Sequence, residues 1–302
     1  RRYDKFYVAG MKSLCYNGKS EEEIPMKKPE FFLEPYTIES GKICQNSGNI
    51  RFCFLSDLHG MVFGRNNEKL FRAIDSFSPD GILVGGDMVI GKKYEAEASI
   101  EPALELMRRL GNKYPVWYAL GNHEYRMMKN TECYGTTYQV YEEKLKAMGV
   151  TLLHNDQAEF QVRGSRFRVY GLELEEEYYR KPKSKPLTCG HMDQLLGSQG
   201  TSLEEYRILL AHNPRYGKTY FQWGADLILS GHYHGGLMRL GRRVGLVSPQ
   251  FHPFPRYCCG DFTRKEQRMI VSAGLGEHTV PIRIHNPRVL IMITLVPRRR
   301  GR

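Results

Sequence analysis

Five short stretches of this chain carry the residue types that bind divalent cations. They are Asp57-Leu58-His59, Gly86-Asp87, Gly121-Asn122-His123-Glu124, Ala211-His212 and Gly231-His232-Tyr233-His234. Asp57, His59, Asp87, Asn122, His212, His232 and His234 together offer two carboxylates, one amide oxygen and four imidazoles. That is close to what two five- or six-coordinate ions need from a protein while positions remain for water and an anionic oxygen. His123 is a spare imidazole beside the Asn. Singly, each residue has an ordinary explanation: Asp57 or Asp87 would serve as a helix N-cap, and Asn122 behind Gly121 as a tight turn. The remaining histidines, His154, His191, His252, His278 and His285, read as surface or structural residues.

Each ligand group follows an apolar run. Phe52–Leu55, Ile82–Val84, Val116–Leu120, Arg207–Leu210 and Leu227–Leu229 read as buried strands, so the polar residues after them sit on loops at strand carboxyl ends, where open α/β sheets place their sites. Helical spacing over Asn66–Phe77, Ile100–Leu110 and Tyr138–Met148 alternates with the first three strands and predicts a parallel sheet with helices outside. After residue 150, Ala158–Val162 and Phe167–Tyr170 flank Arg163-Gly164-Ser165-Arg166 as a hairpin, and Met269–Ser272 and Val289–Leu295 add strands. The expected fold class is α/β, a four-layer α/β/β/α sandwich of two mixed sheets flanked by helices. Residues 1–50 are expected to form a lead-in packed on the core, with a strand near Tyr36–Glu39, and residues 51–302 the main domain.

The 302 residues contain 41% hydrophobic side chains, ample for a packed core. A net charge of +11 favours an anionic partner. The basic residues are dispersed apart from Arg298-Arg299-Arg300 and Arg302, which disfavours nucleic acid. Seven cysteines with no CxxC spacing and an adjacent pair, Cys258-Cys259, argue against a disulfide framework and for a reducing compartment. No apolar run reaches the roughly 18 residues of a membrane span, and no signal-peptide pattern is present. A chain opening on Arg1 is consistent with removal of an N-terminal anchor or leader, so the expected location is cytoplasmic or peripheral at a membrane.

Taken in order, the five stretches resemble the calcineurin-like metallophosphoesterase superfamily, whose pattern is D-x-H, G-D, G-N-H-D/E, a lone H and G-H-x-H. Every position is filled, and the likeness covers roughly residues 50–240. The resemblance implies two divalent ions (Mn, Fe or Zn): Asp57, His59 and His234 on one, Asn122, His212 and His232 on the other, Asp87 between them. A water deprotonated between the ions would attack phosphorus in line. The resemblance makes His123 a catalytic group that hydrogen-bonds the phosphoryl oxygen or protonates the leaving group. Glu124 would orient His123 or a histidine ligand from behind.

The implied substrate is a phosphodiester, a phosphomonoester or a lipid-linked pyrophosphate. Leu-Ser-Asp-Leu-His, Ala-His-Asn-Pro (211–214) and Gly-His-Tyr-His-Gly-Gly (231–236) look most like a bacterial branch that includes membrane-associated phosphoesterases. An amphipathic ester and peripheral contact with an anionic membrane are the partners that branch suggests. Arg126, next to Tyr125, and Arg239, after the last ligand loop, are candidate substrate contacts. The Lys- and Arg-rich Tyr178–Lys185 stretch and the Pro-rich, aromatic 248–257 stretch are weaker ones. Two alternatives stay open: a catalytically silent interaction module on the same fold, and a nuclease.

Overall fold

A computed structural model describes residues 30–92, 99–180, 184–198, 204–236, 238–240, 244–245, 255–277 and 283–298. In chain order, strands β1 (Phe32–Ser40) and β2 (Ile50–Leu55) precede helix α1 (Glu68–Phe77), β3 (Gly81–Val84), α2 (Glu101–Gly111) and β4 (Val116–Ala119). Helices α3 (Asn122–Lys129), α4 (Thr131–Tyr134) and α5 (Thr137–Ala147) lead to β5 (Val150–Leu153). Then come β6 (Asp156–Val162), β7 (Ser165–Leu172), α6 (Cys189–Leu196), β8 (Glu205–Ala211), α7 (Gly217–Trp223) and β9 (Leu227–Ser230). The chain ends with β10 (Arg239–Leu240), β11 (Val244–Gly245), β12 (Gly260–Arg264), β13 (Gln267–Val271) and β14 (Val289–Pro297).

Strand β2 shows why the apolar runs are unbroken. Phe52 and Phe54 point to one face, Cys53 and Leu55 to the other, and none is more than 1% exposed. A strand covered on both sides has no polar face to alternate with. The first sheet has the order β1-β14-β2-β3-β4-β5, with β2 to β5 parallel and β14 antiparallel to β2. The expected lead-in strand is β1, which pairs with β14 from Phe32↔Val289 to Ser40↔Pro297. The second sheet has the order β12-β13-β9-β8-β7-β6. Its β6–β7 hairpin turns at Arg163-Gly164, both at positive φ (44° and 82°), the geometry of a two-residue turn.

Three apolar layers hold the sandwich together. Helices α1, α2, α3 and α5 pack on the first sheet through Leu70, Leu106, Met127 and Leu145. Phe52, Phe54, Trp117, Phe167, Ile208 and Leu229 fill the space between the sheets. Met192 of α6 and Tyr220 and Phe221 of α7 cover the second sheet over Leu209 and Ile228. Edge-to-face pairs such as Phe52–Phe167, 5.5 Å between centroids, add about 0.5–1.5 kcal/mol each to the burial itself. The molecule is therefore the expected α/β/β/α sandwich. Among the described residues no helix is long and apolar enough to cross a membrane.

One local expectation is corrected. Asn122, His123 and Glu124 form the first turn of α3 and not a loop. The segment Asn-His-Glu-Tyr-Arg-Met-Met-Lys has almost no apolar periodicity, with Met127 its one fully buried apolar side chain, so its helicity was invisible to spacing. The helix starts there because the Glu124 carboxylate accepts the Gly121 N–H at 3.1 Å, closing a capping arrangement. Strand β5 and helices α6 and α7 were also unanticipated; each is short and takes its shape from the layer it covers.

Candidate metal centre

The loops after β2, β3, β4, β8 and β9 meet at one edge of the two sheets and are stitched to each other through the backbone. Asp57 N–H donates to the Gly86 carbonyl (2.9 Å), His59 N–H to the Asp87 carbonyl (3.1 Å) and Gly231 N–H to the His212 carbonyl (3.0 Å). Five of the expected ligands sit in the left-handed region: Asp57 (φ 52°), His59 (47°), Asp87 (54°), His232 (67°) and His234 (48°). Such conformations cost about 1–3 kcal/mol each and persist where surrounding contacts fix them, typically at functional sites. The strain aims five side chains at a common point.

Their atoms do converge. Asp57, His59 and His234 form one group, and Asp87, His212 and His232 another, with the potential ligand atoms of each within 4.8 Å of one another. His59 Nε2 and His234 Nε2 stand 3.1 Å apart, their rings stacked at 18°, and His234 Nε2 is 3.4 Å from Asp57 Oδ1. Asp87 Oδ2 lies 2.9 Å from His212 Nε2 and 3.9 Å from His59 Nε2, between the two groups.

These residues fit divalent cations on three counts. Among the described residues, Asp57 Oδ2 and Asn122 Oδ1 are buried acceptors without a hydrogen-bond partner. A buried acceptor left unmatched costs roughly 1–3 kcal/mol, and a cation would satisfy both. His212 Nδ1 donates to the Gly85 carbonyl at 2.7 Å, so that Nε2, 2.9 Å from Asp87 Oδ2, is the nitrogen left to exchange its proton for a cation, the usual arrangement of a metal-binding histidine. The protein's own charges are also unbalanced. Burial pushes the Asp57 pKa up to about 6. Burial alone would lower the His212 pKa, but Asp87 and Asp57 override it and push it up to about 10. A proton on His212 thus occupies the place that a cation would take.

Around this cluster the expected roles divide. His123 Nδ1 accepts the Gly91 N–H at 2.9 Å, so the proton of the neutral ring is on Nε2, which faces Asp87 Oδ2 at 4.0 Å. Burial lowers the His123 pKa and favours that neutral form. The Glu124 carboxylate, 0% exposed, accepts the backbone N–H groups of Asp87 (2.8 Å), Met88 (2.8 Å) and Gly121 (3.1 Å) and the Tyr118 hydroxyl (2.7 Å). Among the described residues its hydrogen-bond partners include no histidine, and it joins the Asp87 loop to the start of α3. Burial, with the nearby Asp87, pushes the Glu124 pKa up to about 7.

Arg126 reaches the rim of the cluster, where it lines a cavity with Asn122. Arg239 is 5% exposed, lies against Asn286 and lines a separate cavity along β1. The 178–185 stretch does approach the centre. Tyr179 sets its ring edge-on to His232 at 5.1 Å, while residues 181–183 lie outside the described residues. Most of the Pro-rich stretch (248–254) also lies outside them. Sequence reasoning missed Arg283, whose Nη2 is 3.4 Å from His234 Nδ1 and whose guanidinium donates to the Ala273 carbonyl at 2.9 Å. No motif marks it.

Close approach of backbone to ligand makes one glycine decisive. A Cβ on Gly231 would stand 2.2 Å from Asp57 Oδ2 and 2.8 Å from Ser56 Oγ, both buried and unable to retreat. Gly231→Ala is expected to displace Asp57 and to lower metal affinity by about 10–100-fold, a perturbation like that of losing a supporting contact. Isothermal titration of the apoprotein with Mn²⁺ measures it; unchanged affinity would mean that Asp57 is not a ligand.

Carboxylate, amide and imidazole groups delivered by strand ends to the seam of a two-sheet sandwich define a metallohydrolase domain. The chain belongs to the calcineurin-like phosphoesterase family, whose sequence model matches residues 50–236. By fold and family this is a metal-dependent phosphoester hydrolase domain. A Caenorhabditis elegans protein named for a metallophosphoesterase, F40B5.2, is 30% identical over 260 residues, 83% of this chain and 49% of its own length. This chain thus spans about half of that relative. An uncharacterized metallophosphoesterase of Aquifex aeolicus is 27% identical over 267 residues, 87% of this chain and 91% of its own. Phosphodiesterase YaeI of Escherichia coli is 25% identical over 236 residues, 76% of this chain and 77% of its own.

Proposed function

We propose that this domain hydrolyses phosphodiesters with two divalent cations. Asp57, His59 and His234 would hold one, Asn122, His212 and His232 the other, and Asp87 would lie between them. The observation that carries the reading is the pair of buried acceptors without partners, Asp57 Oδ2 and Asn122 Oδ1, one in each half of the ligand set. Mn, Fe and Zn all suit this mixed N/O donor set. The name of the E. coli relative favours a diester over a monoester or a pyrophosphate. Pairing of β1 with β14 along its whole length supports reading residues 1–50 as a lead-in fastened to a domain of residues 51–302.

When bound, the cations would supply Lewis-acid activation of water and charge for the phosphoryl oxygens. The protein supplies the rest. Gly91 N–H fixes the His123 tautomer, so Nε2–H points into the site as the donor for a phosphoryl or leaving-group oxygen. Asp87 Oδ1 accepts the His123 backbone N–H at 2.8 Å, so the proton donor and the central carboxylate move as one unit. Glu124 ties both to β3 and β4 from behind.

Metal content of the purified protein by mass spectrometry tests this reading, with hydrolysis of bis-p-nitrophenyl phosphate and p-nitrophenyl phosphate measured on the same sample with Mn²⁺. About two ions per chain and faster turnover of the diester are expected. Metal-loaded protein that cleaves only the monoester would overturn the diester assignment. Protein that neither binds Mn²⁺ nor turns over either ester would overturn the hydrolase.

A further inference from the structure

We propose that α3 carries a leaving-group subsite for a phosphoester whose alcohol bears a second anionic group, several bonds away from the scissile phosphorus. The proposal rests on the phosphoesterase reading and specifies its substrate class. Asn122, Tyr125, Arg126 and Lys129 of α3, with its C-cap Asn130 and with Glu176, line a single cavity of about 200 Å³. Spacings of three and four residues put the four helical side chains on one face. The face begins at Asn122, which the proposed function makes a metal ligand, so on that reading the cavity adjoins the place where phosphorus would bind.

Charge along this face is set out for an anion. Arg126 Nη1 donates to the Gly91 carbonyl at 2.5 Å, which fixes the guanidinium, while its Nε is buried with no hydrogen-bond partner. Lys129 Nζ stands 5.5 Å over the Tyr125 ring. Among the described residues neither cation has a carboxylate partner, in contrast to surface pairs such as Arg72–Glu68, Lys146–Glu142 and Arg163–Asp80. At about 1.5 Å of helix rise per residue, the backbone of Arg126 and Lys129 lies about 6 Å and 10 Å along the axis from that of Asn122. An anion at the far end of a short alcohol chain spans such a distance.

The opposite wall narrows the class further. Glu176 is able to accept hydrogen bonds from hydroxyl groups, and its carboxylate repels a chain of closely spaced phosphates. The cavity therefore suits a small hydroxylated linker with one terminal anion and disfavours a polynucleotide. Tyr125 and its Lys129 partner give the linker an apolar face ending in a positive charge.

Competitive inhibition of bis-p-nitrophenyl phosphate hydrolysis with Mn²⁺ tests the subsite. The inhibitors are ω-carboxyalkyl phosphonates, from phosphonoacetate upward in chain length, with alkyl phosphonates of equal length, which lack the second anionic group, as controls. The longer carboxylated compounds should inhibit about tenfold more tightly than their uncarboxylated partners, phosphonoacetate should show little advantage, and Lys129→Glu should abolish the difference, with Lys129→Ala between. Equal inhibition by carboxylated and uncarboxylated compounds in a wild-type protein that turns over the ester would overturn the subsite and leave the hydrolase standing. Metal-loaded protein that turns over no ester would instead overturn the hydrolase reading, and the subsite with it.

Discussion

Asp87→Ala is expected to lose bound divalent metal and turnover together, with activity falling on the order of 10³-fold or more. The reason is position. Asp87 Oδ2 lies 2.9 Å from His212 Nε2, 3.9 Å from His59 Nε2 and 4.0 Å from His123 Nε2, within reach of both halves of the ligand set. Two cations about 3.5–4 Å apart need a shared anion against their repulsion, and several kcal/mol of transition-state stabilisation depend on both being present; each 1.36 kcal/mol is a factor of ten in rate. Metal content and turnover should be measured on one preparation, with circular dichroism as a check on folding. Asp87→Asn keeps the shape and the acceptor for His123 N–H, so it should fold like the parent and still lose metal. A variant that is both active and metal-replete would refute the bridging role.

His123→Ala is expected to behave differently, keeping its metal while turnover drops by roughly 10²–10⁴-fold, the range for loss of a general acid. The geometry makes this a real contest. His59, Asp87 and His123 also form a group with ligand atoms within 4.8 Å, so His123 is close enough to be a ligand in its own right. What argues for proton transfer is the tautomer. Gly91 N–H takes the Nδ1 lone pair and leaves Nε2 protonated and directed at the site, a donor instead of a ligand. If metal falls in step with activity, His123 belongs to the ligand set. A leaving-group series separates the roles further: loss of a proton donor should hurt poor leaving groups such as alkyl esters more than p-nitrophenyl ones.

Much of the architecture was legible in the residues. Runs such as Phe52–Leu55 and Leu227–Leu229 are apolar on both faces because both faces are covered, and strands of that kind read as unbroken apolar stretches. The polar residue after each run marks where the chain leaves the sheet. The α3 segment was illegible because its helix is held by the Glu124 cap and not by an apolar stripe. Helix α7 was missed because its aromatic residues pack around Met269 and Ile228, contacts that no local pattern encodes.

The site divides along the same line. Residue type and order single out Asp57, His59, Asp87, Asn122, His212, His232 and His234 as candidate ligands, since ligand chemistry belongs to side chains and strand ends are local features. Their arrangement is set by contacts between distant parts of the chain: His59 and His234 are 175 residues apart, His212 and Asp87 125. Only packing of the two sheets could show that Glu124 serves the Asp87 loop, that Arg283 stands behind His234, and that Arg239 lines another cavity. Those facts depend on which backbone atoms lie within hydrogen-bond reach, and that distance is fixed when the layers close, not by any residue's neighbours in the chain.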